Sequence, residues 1–195
     1  MAILKLNFNL KGTRTYIHGT DICDKLFSLY NKDIFDTFEI SFHSINYNNI
    51  ILSDKILKDF KEIKFLCKFN YKNNIKYLYG YENPDSKPKD SYPYEEEKIT
   101  DNAIINFKDK SIQISQINNF STIEKIVALN KHLLLNIFTK TEGKWYFTKL
   151  ELKNPLPKNP KKINIYMQSN FNFLITKSAI YIEEKLVGYI YFSLH

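Results

Sequence analysis

The stretch Ser121–Leu194 constrains the fold more than any other part of the chain, because one helical segment is followed there only by β-type segments. Ser121-Thr122 offers a helix cap, and Ile123, Ile126, Val127, Leu129, Leu133, Leu134 and Ile137 set a broad apolar stripe along about four turns. Strands are expected at Lys144–Leu152, Lys162–Gln168, Phe171–Glu183 and Leu186–Leu194, with a proline corner at Asn154-Pro155-Leu156-Pro157. A lone helix with such a stripe must bury it against the sheet that those strands build. The spacing therefore predicts an α+β fold: one helix wrapped by a curling antiparallel sheet.

The rest of the chain is consistent with a packed globule. Its 195 residues are 44% hydrophobic and 15% aromatic, enough for a substantial core. No window has the run of about eighteen apolar residues a membrane helix needs, and Met1–Leu10 alternates apolar with polar where a leader would be continuous. A soluble, cytoplasmic protein is expected. Cys23 and Cys67 lie far apart without His or Cys at ligand spacing, so buried thiols are expected and neither a metal nor a cofactor is indicated. The formal charge of +7 comes from 28 basic residues, of which Arg14 is the one arginine. The excess is spread over both halves and accompanies no nucleic-acid-binding motif, so nucleic acid is not the expected partner. A modestly basic surface also suits an acidic carrier protein.

The order of elements repeats weakly about a break at Glu82–Lys98, where prolines and the acid run Glu95-Glu96-Glu97 crowd together. The division reads as a first half over 1–83, a linker loop over 84–98 and a second half over 99–195. The first half predicts strands at Ile3–Leu10, Asp36–Ile45, Glu62–Tyr71 and Ile75–Tyr81, a short helix at Asp21–Asn31, and an open assignment at Asn49–Leu52. The second predicts a strand at Ala103–Phe107, extendable to Ser115, ahead of the long helix. Each helix follows a strand and a polar connection, which is compatible with duplication and equally with a single α+β domain. The alternating Tyr77, Tyr79, Tyr81 and Tyr189, Tyr191 read as half-buried strand packing, not as a base-stacking platform.

The C-terminal block resembles the hot dog superfamily of thioesterases and β-hydroxyacyl thioester dehydratases. The resemblance rests on Trp145–Leu150 as the strand after the central helix, on the proline corner, and on Ile175–Tyr181 with Leu186–Phe192 as the closing hairpin. With the first half included it implies a double hot dog, two half-size units forming an intrachain pseudo-dimer, still able to pair into a homodimer. It also implies binding of an acyl thioester, carried on coenzyme A or on an acidic acyl carrier protein. In the dehydratases of this superfamily, a histidine from one unit and an acid on the other unit's central helix flank the acyl chain's α and β carbons. A backbone amide at a helix start polarises the carbonyl.

The richest candidate site is Arg14–Asp24, where a strand gives way to a helix. The resemblance casts His18 as general base, Asp24 or Glu124 as acid, and the amides after Gly19 as oxyanion donors. Arg14, Gly19 and Asp21 are the substrate-binding candidates. Gly19 permits a tight turn before the helix, and the interval from Gly19 to Asp24 matches that family's glycine-to-acid spacing. The sequence departs from the dehydratase pattern at three points: no proline precedes the glycine, His18 stands beside it, and Ser28 replaces a glutamine. Structural readings stand beside these. Asp21 or Thr20 suits an N-cap, Asp24 and Glu124 suit first-turn dipole partners, and His18 suits a loop histidine bonded to backbone. Arg14 suits a phosphate or a carboxylate such as Asp21 or Asp24. Asn130 and His132 are expected off the apolar stripe, facing solvent. The functional expectation is acyl-thioester binding with dehydration or hydrolysis, the alternative being a non-catalytic lipid-binding or interaction module.

Overall fold

The computed structural model describes residues 3–30, 35–71, 74–115 and 119–195. The chain divides into two compact units, Met1–Tyr94 and Glu95–His195.

The first unit holds strands β1 (Leu4–Leu6), β2 (Leu10–Lys11), β3 (Phe35–Phe42), β4 (Ile50–Ser53), β5 (Phe65–Tyr71), β6 (Asn74–Glu82) and β7 (Ser91–Tyr92), and helix α1 (Gly19–Tyr30). The expected strand Ile3–Leu10 is split in two, and the unassigned segment at Asn49–Leu52 is strand β4. The helix starts two residues before the expected Asp21; its expected last residue, Asn31, lies outside the described residues. Helix α1 buries Thr20, Ile22, Cys23, Leu26 and Phe27. The Phe27 ring meets Phe38 of β3 at 4.8 Å between centroids. Ile40, Phe65, Cys67, Phe69 and Leu78 complete the core, each on the inward side of an alternating strand.

The second unit holds helices α2 (Glu97–Thr100) and α3 (Thr122–Ile137) and strands β8 (Ile104–Asn106), β9 (Ser111–Ser115), β10 (Trp145–Leu152), β11 (Lys162–Phe171), β12 (Ile175–Ile182) and β13 (Lys185–Leu194). Ala103–Ser115 is a hairpin, not one strand, and β11 runs past the expected end at Gln168 to Phe171. The β12–β13 turn puts Glu183 (φ 48°) and Glu184 (φ 69°) in the left-handed region, as a two-residue hairpin turn requires. Helix α3 is buried nearly all round, including Ile123, Ile126, Leu129, Leu133 and Leu134. It contacts β9, β10, β11 and β13 on one side and α2 on another.

The sheet of the second unit is antiparallel in the order β9-β11-β12-β13-β10, with β8 beyond β9. A helix against an antiparallel sheet of this order fits the hot dog arrangement. The first unit follows the order β1-β4-β6-β5-β3, also antiparallel throughout. In both, the strand before the helix pairs with the second strand after it, and the first strand after it lies at the other end. The intervening hairpin differs. In the second unit its leading strand β12 pairs with β11; in the first, its trailing strand β6 pairs with β4. Strands β4 and β5 consequently run the same way and need a crossover, residues 54–64, where β11 and β12 need only a turn. Tyr81 anchors that crossover: its ring packs on Phe60 at 5.0 Å, and its hydroxyl oxygen accepts from the Leu57 amide at 3.0 Å. The order of elements repeats between the halves; the order of strands does not.

The stretch expected as a linker, 84–98, holds short elements of its own. Strand β7 runs parallel to β2, pairing Leu10 with Ser91 and Lys11 with Tyr92, and α2 begins at Glu97. None of the described helices is long and apolar enough to cross a membrane.

Candidate functional site

The site grows from how the chain passes from β2 to α1. The Gly12 amide donates to the Tyr92 carbonyl at 2.8 Å, and Gly12 adopts φ 60°, a left-handed turn that suits glycine. The positive-φ glycine of this corner is thus Gly12 and not Gly19, which is simply the first helical residue. An antiparallel bridge between Ile17 and Asn46 then aims the chain into the helix. The His18 carbonyl accepts from the amides of Asp21 at 3.0 Å and Ile22 at 3.3 Å. The cap is therefore His18 through its main chain, two or three residues earlier than the Thr20 or Asp21 cap the sequence suggests.

The turn folds Lys11 inward, leaving it 0% exposed. Its ammonium lies 2.8 Å from Asp21 Oδ1, donates to Thr20 Oγ1 at 2.7 Å, and sits 4.5 Å from the centre of the Tyr94 ring. Tyr92 Oη donates to the same Asp21 Oδ1 at 2.9 Å. A lysine buried this deeply needs such a cage, because an unpaired ammonium out of water costs several kcal/mol. Thr20 Oγ1 also lies 2.8 Å from His18 Nδ1, so His18, Thr20, Lys11, Asp21 and Tyr92 form one connected polar chain. Asp21 Oδ2 is buried with no hydrogen-bond partner.

Beside this chain opens a cleft of about 450 Å³ lined by Asn7, Phe8, Asn9, Asp21, Asp24, Lys25, Ser28 and Tyr92. Asp21, Asp24, Lys25 and Ser28 fall at helical intervals of three and four, so α1 presents them on one face. The Phe8 amide donates to Asn49 Oδ1 at 2.8 Å, which fixes the opposite wall.

The structure thus brings His18 and Asp21 together through Thr20 and places Asp24 on the cleft. His18 is not among the residues lining the cleft. Arg14 carries its guanidinium 5.1 Å from the centre of the Tyr94 ring, while the cation facing Asp21 is Lys11. Glu124 lies in the second unit, where a capping box engages it: Ser121 Oγ accepts from the Glu124 amide at 3.1 Å and Glu124 Oε2 accepts from the Ser121 amide at 2.7 Å. Among the described residues, no group of three or more His, Cys, Asp or Glu is placed to hold a metal.

Residues the sequence reading passed over complete the picture. Lys11, Tyr92 and Tyr94 carry no local signal, two of them lying in the stretch expected as linker. Asn130, expected to face solvent, is 0% exposed, and both its amide atoms lack partners. Counting could have found it: Asn130 stands seven residues after Ile123, four after Ile126 and four before Leu134, within the apolar stripe. His132 is half-buried, and Lys125 is buried with its ammonium unpartnered. Burial pushes the Lys125 pKa down, with Glu124 opposing the shift. Cys23 and Cys67 are fully buried free thiols whose pKa values burial drives well up.

No protein-family model matches the sequence, and none of the curated proteins does. Among solved structures the chain is similar to thioesterases and to polyketide synthase dehydratase domains. One is a putative thioesterase from Novosphingobium aromaticivorans, at 8% identity, covering 99% of this chain and 94% of that one, with a TM-score of 0.48. Another is the dehydratase domain of the CurK module of curacin polyketide synthase, at 8% identity, 89% and 81% coverage and a TM-score of 0.44. A third is a putative oleoyl thioesterase from Lactobacillus plantarum, at 8% identity, 99% and 96% coverage and a TM-score of 0.44.

Proposed function

We propose that the protein binds an acyl thioester, carried on coenzyme A or on an acidic acyl carrier protein, in the cleft of its first unit. The observation that carries the reading is the cleft itself: it opens along one face of α1, from Asp21 to Ser28, and combines an aromatic wall at Phe8 and Tyr92 with Asp24, Lys25, Asn7 and Asn9 as polar contacts. In this reading the chain is a double hot dog, with the hairpin of the first unit rearranged. Asp24 is the group with access to ligand, Arg14 and the Lys11–Asp21 pair brace the wall beside it, and His18, off the cleft and joined to Asp21 through Thr20, acts as a positioning residue.

A non-catalytic version is favoured by two specific findings. Glu124, one of the two acids the resemblance offers, is already engaged by its capping box, and His18 is not among the residues lining the cleft. The test is a panel of acyl-CoA thioesters, read in parallel by calorimetric binding and by release of free thiol or formation of the enoyl product. Binding that weakens at least tenfold in Asp24→Asn supports the site. Absence of binding across the panel overturns it. Turnover unchanged in His18→Ala removes His18 from catalysis, and binding without turnover assigns the chain to the non-catalytic class.

A further inference from the structure

The register of the second unit gathers on one sheet face what the sequence spreads over four strands. Lys149 of β10, Tyr191 of β13 and Lys177 of β12 stand in one cross-strand row; Glu151, Tyr189, Ala179 and Tyr166 form the next. The Lys177 ammonium lies 4.0 Å from the centre of the Tyr189 ring and 5.8 Å from that of Tyr191. Lys153 lies 5.1 Å from the Tyr189 ring and Lys149 5.5 Å from the Tyr191 ring. Tyr166 adds a ring edge-on to Tyr181 at 5.4 Å and is 39% exposed. The side chains that alternate with these, Ile180, Ile190 and Phe192, are buried, so the tyrosines and lysines share the opposite, accessible face. One carboxylate interrupts the face: Glu151 accepts from Tyr191 Oη at 2.8 Å and from Lys149 at 2.6 Å, which fixes the orientation of the Tyr191 ring.

Against the strand-packing role and the absence of a nucleic-acid partner expected from the sequence, we propose that this face binds single-stranded nucleic acid. Tyr189 and Tyr191 are two residues apart on one strand, about 7 Å by strand geometry, and a base that takes the place of a lysine ammonium over either ring can stack on it. Lys149, Lys153 and Lys177 surround those rings; Glu151 already pairs with Lys149, so Lys153 and Lys177 are left to supply the charge that a phosphate chain neutralises. A purely apolar partner offers those two ammonium groups no counter-charge, and a duplex presents no unstacked base to the rings. The face lies in the second unit and is independent of the cleft on α1, so thioester binding and strand binding fail or succeed separately.

The test is fluorescence anisotropy of the full chain with labelled dodecamers of dT and of rU at several salt concentrations. With two phosphates neutralised the expected slope of log K against log salt is about −1.4, so affinity falls about 7-fold between 50 and 200 mM. Lys177→Gln should reduce the slope by about 0.7. Tyr189→Leu and Tyr191→Leu, which keep apolar cover on the sheet, should each weaken binding at least fivefold, with folding checked by Trp145 emission. Equal binding of heparin or of a duplex, tyrosine variants that bind as the parent does, or a slope indifferent to Lys177→Gln would each overturn the proposal. So would a concentration-dependent dimer that Tyr191→Leu dissolves, which would assign the face to a second copy of the chain.

Discussion

Asp21→Asn is the most informative single perturbation of the first unit. The carboxylate takes the Lys11 ammonium at 2.8 Å and the Tyr92 hydroxyl at 2.9 Å on the same oxygen, and Lys11 is 0% exposed. Asparagine keeps the shape and removes the charge, leaving the ammonium buried without the carboxylate that faces it. Removing one member of a buried pair costs about 3–5 kcal/mol. Lys11→Met is expected to cost less, because the Asp21 side chain retains 14% exposure and the Tyr92 hydroxyl. The double variant Lys11→Met/Asp21→Asn removes both charges, and should recover at least about 2 kcal/mol relative to the sum of the single losses. Urea unfolding followed by thiol labelling is the appropriate assay, since Cys23 and Cys67 are both fully buried and both lie in the first unit. Trp145, the single tryptophan, reports the second unit in the same experiment. A loss below about 1 kcal/mol for Asp21→Asn, or strict additivity in the cycle, refutes the account of the pair as a coupled buried brace.

A β-carbon at Gly188 would stand 2.0 Å from the Glu151 carbonyl oxygen, so Gly188→Ala should cost about 3 kcal/mol or more in urea unfolding followed by Trp145. At Gly80 the obstacle is the Phe65 ring at 2.1 Å, a side chain that substitution can shorten; Gly80→Ala should be destabilising alone and partly rescued by Phe65→Leu, as thiol labelling would register. Burial holds the Lys125 pKa below its ordinary 10.5, so the unfolded chain binds more protons between the lowered value and 10.5. Stability of the second unit should therefore rise with pH across that window, and Lys125→Met should flatten the rise in chemical denaturation at stepped pH. Asn130→Leu replaces an amide that is 0% exposed and unpartnered with an apolar group of similar size, and should raise the denaturation midpoint by the equivalent of about 1–3 kcal/mol.

The second unit was legible where its signals are local. Ser121 and Glu124 at cap spacing start α3, and the alternation through Tyr189, Ile190, Tyr191 and Phe192 marks a half-buried strand. Glu124 suits a first-turn dipole partner and a catalytic acid equally well by position, and only coordinates show it closing a capping box. Asn130 was misplaced by chemistry overriding geometry: a polar residue was taken off a stripe whose own intervals run through it. Lys11 and Tyr92 were not legible at all. They meet Asp21 across separations of 10 and 71 residues, and lysine in a strand or tyrosine near prolines says nothing of a distant carboxylate.

That meeting depends on the exchanged hairpin of the first unit. Because β6 and not β5 lies beside β4, the chain leaves the sheet next to the strands that open the unit. The Asn83 amide donates to the Asn49 carbonyl at 2.7 Å, the Asn49 amide to Ser86 at 2.8 Å, and the Leu10 amide to Asp90 at 2.8 Å. These bonds carry the segment along β4 and β2 until β7 pairs with Leu10 and Lys11 and sets Tyr92 over Asp21. With the order found in the second unit, the closing strand would lie beside the first strand after the helix, and the following residues would emerge at the other end of the sheet. The crossover at 54–64 is the structural cost of the exchange. The parallel β2–β7 pair, the buried Lys11–Asp21 brace and the tyrosine wall of the cleft are what the exchange makes reachable.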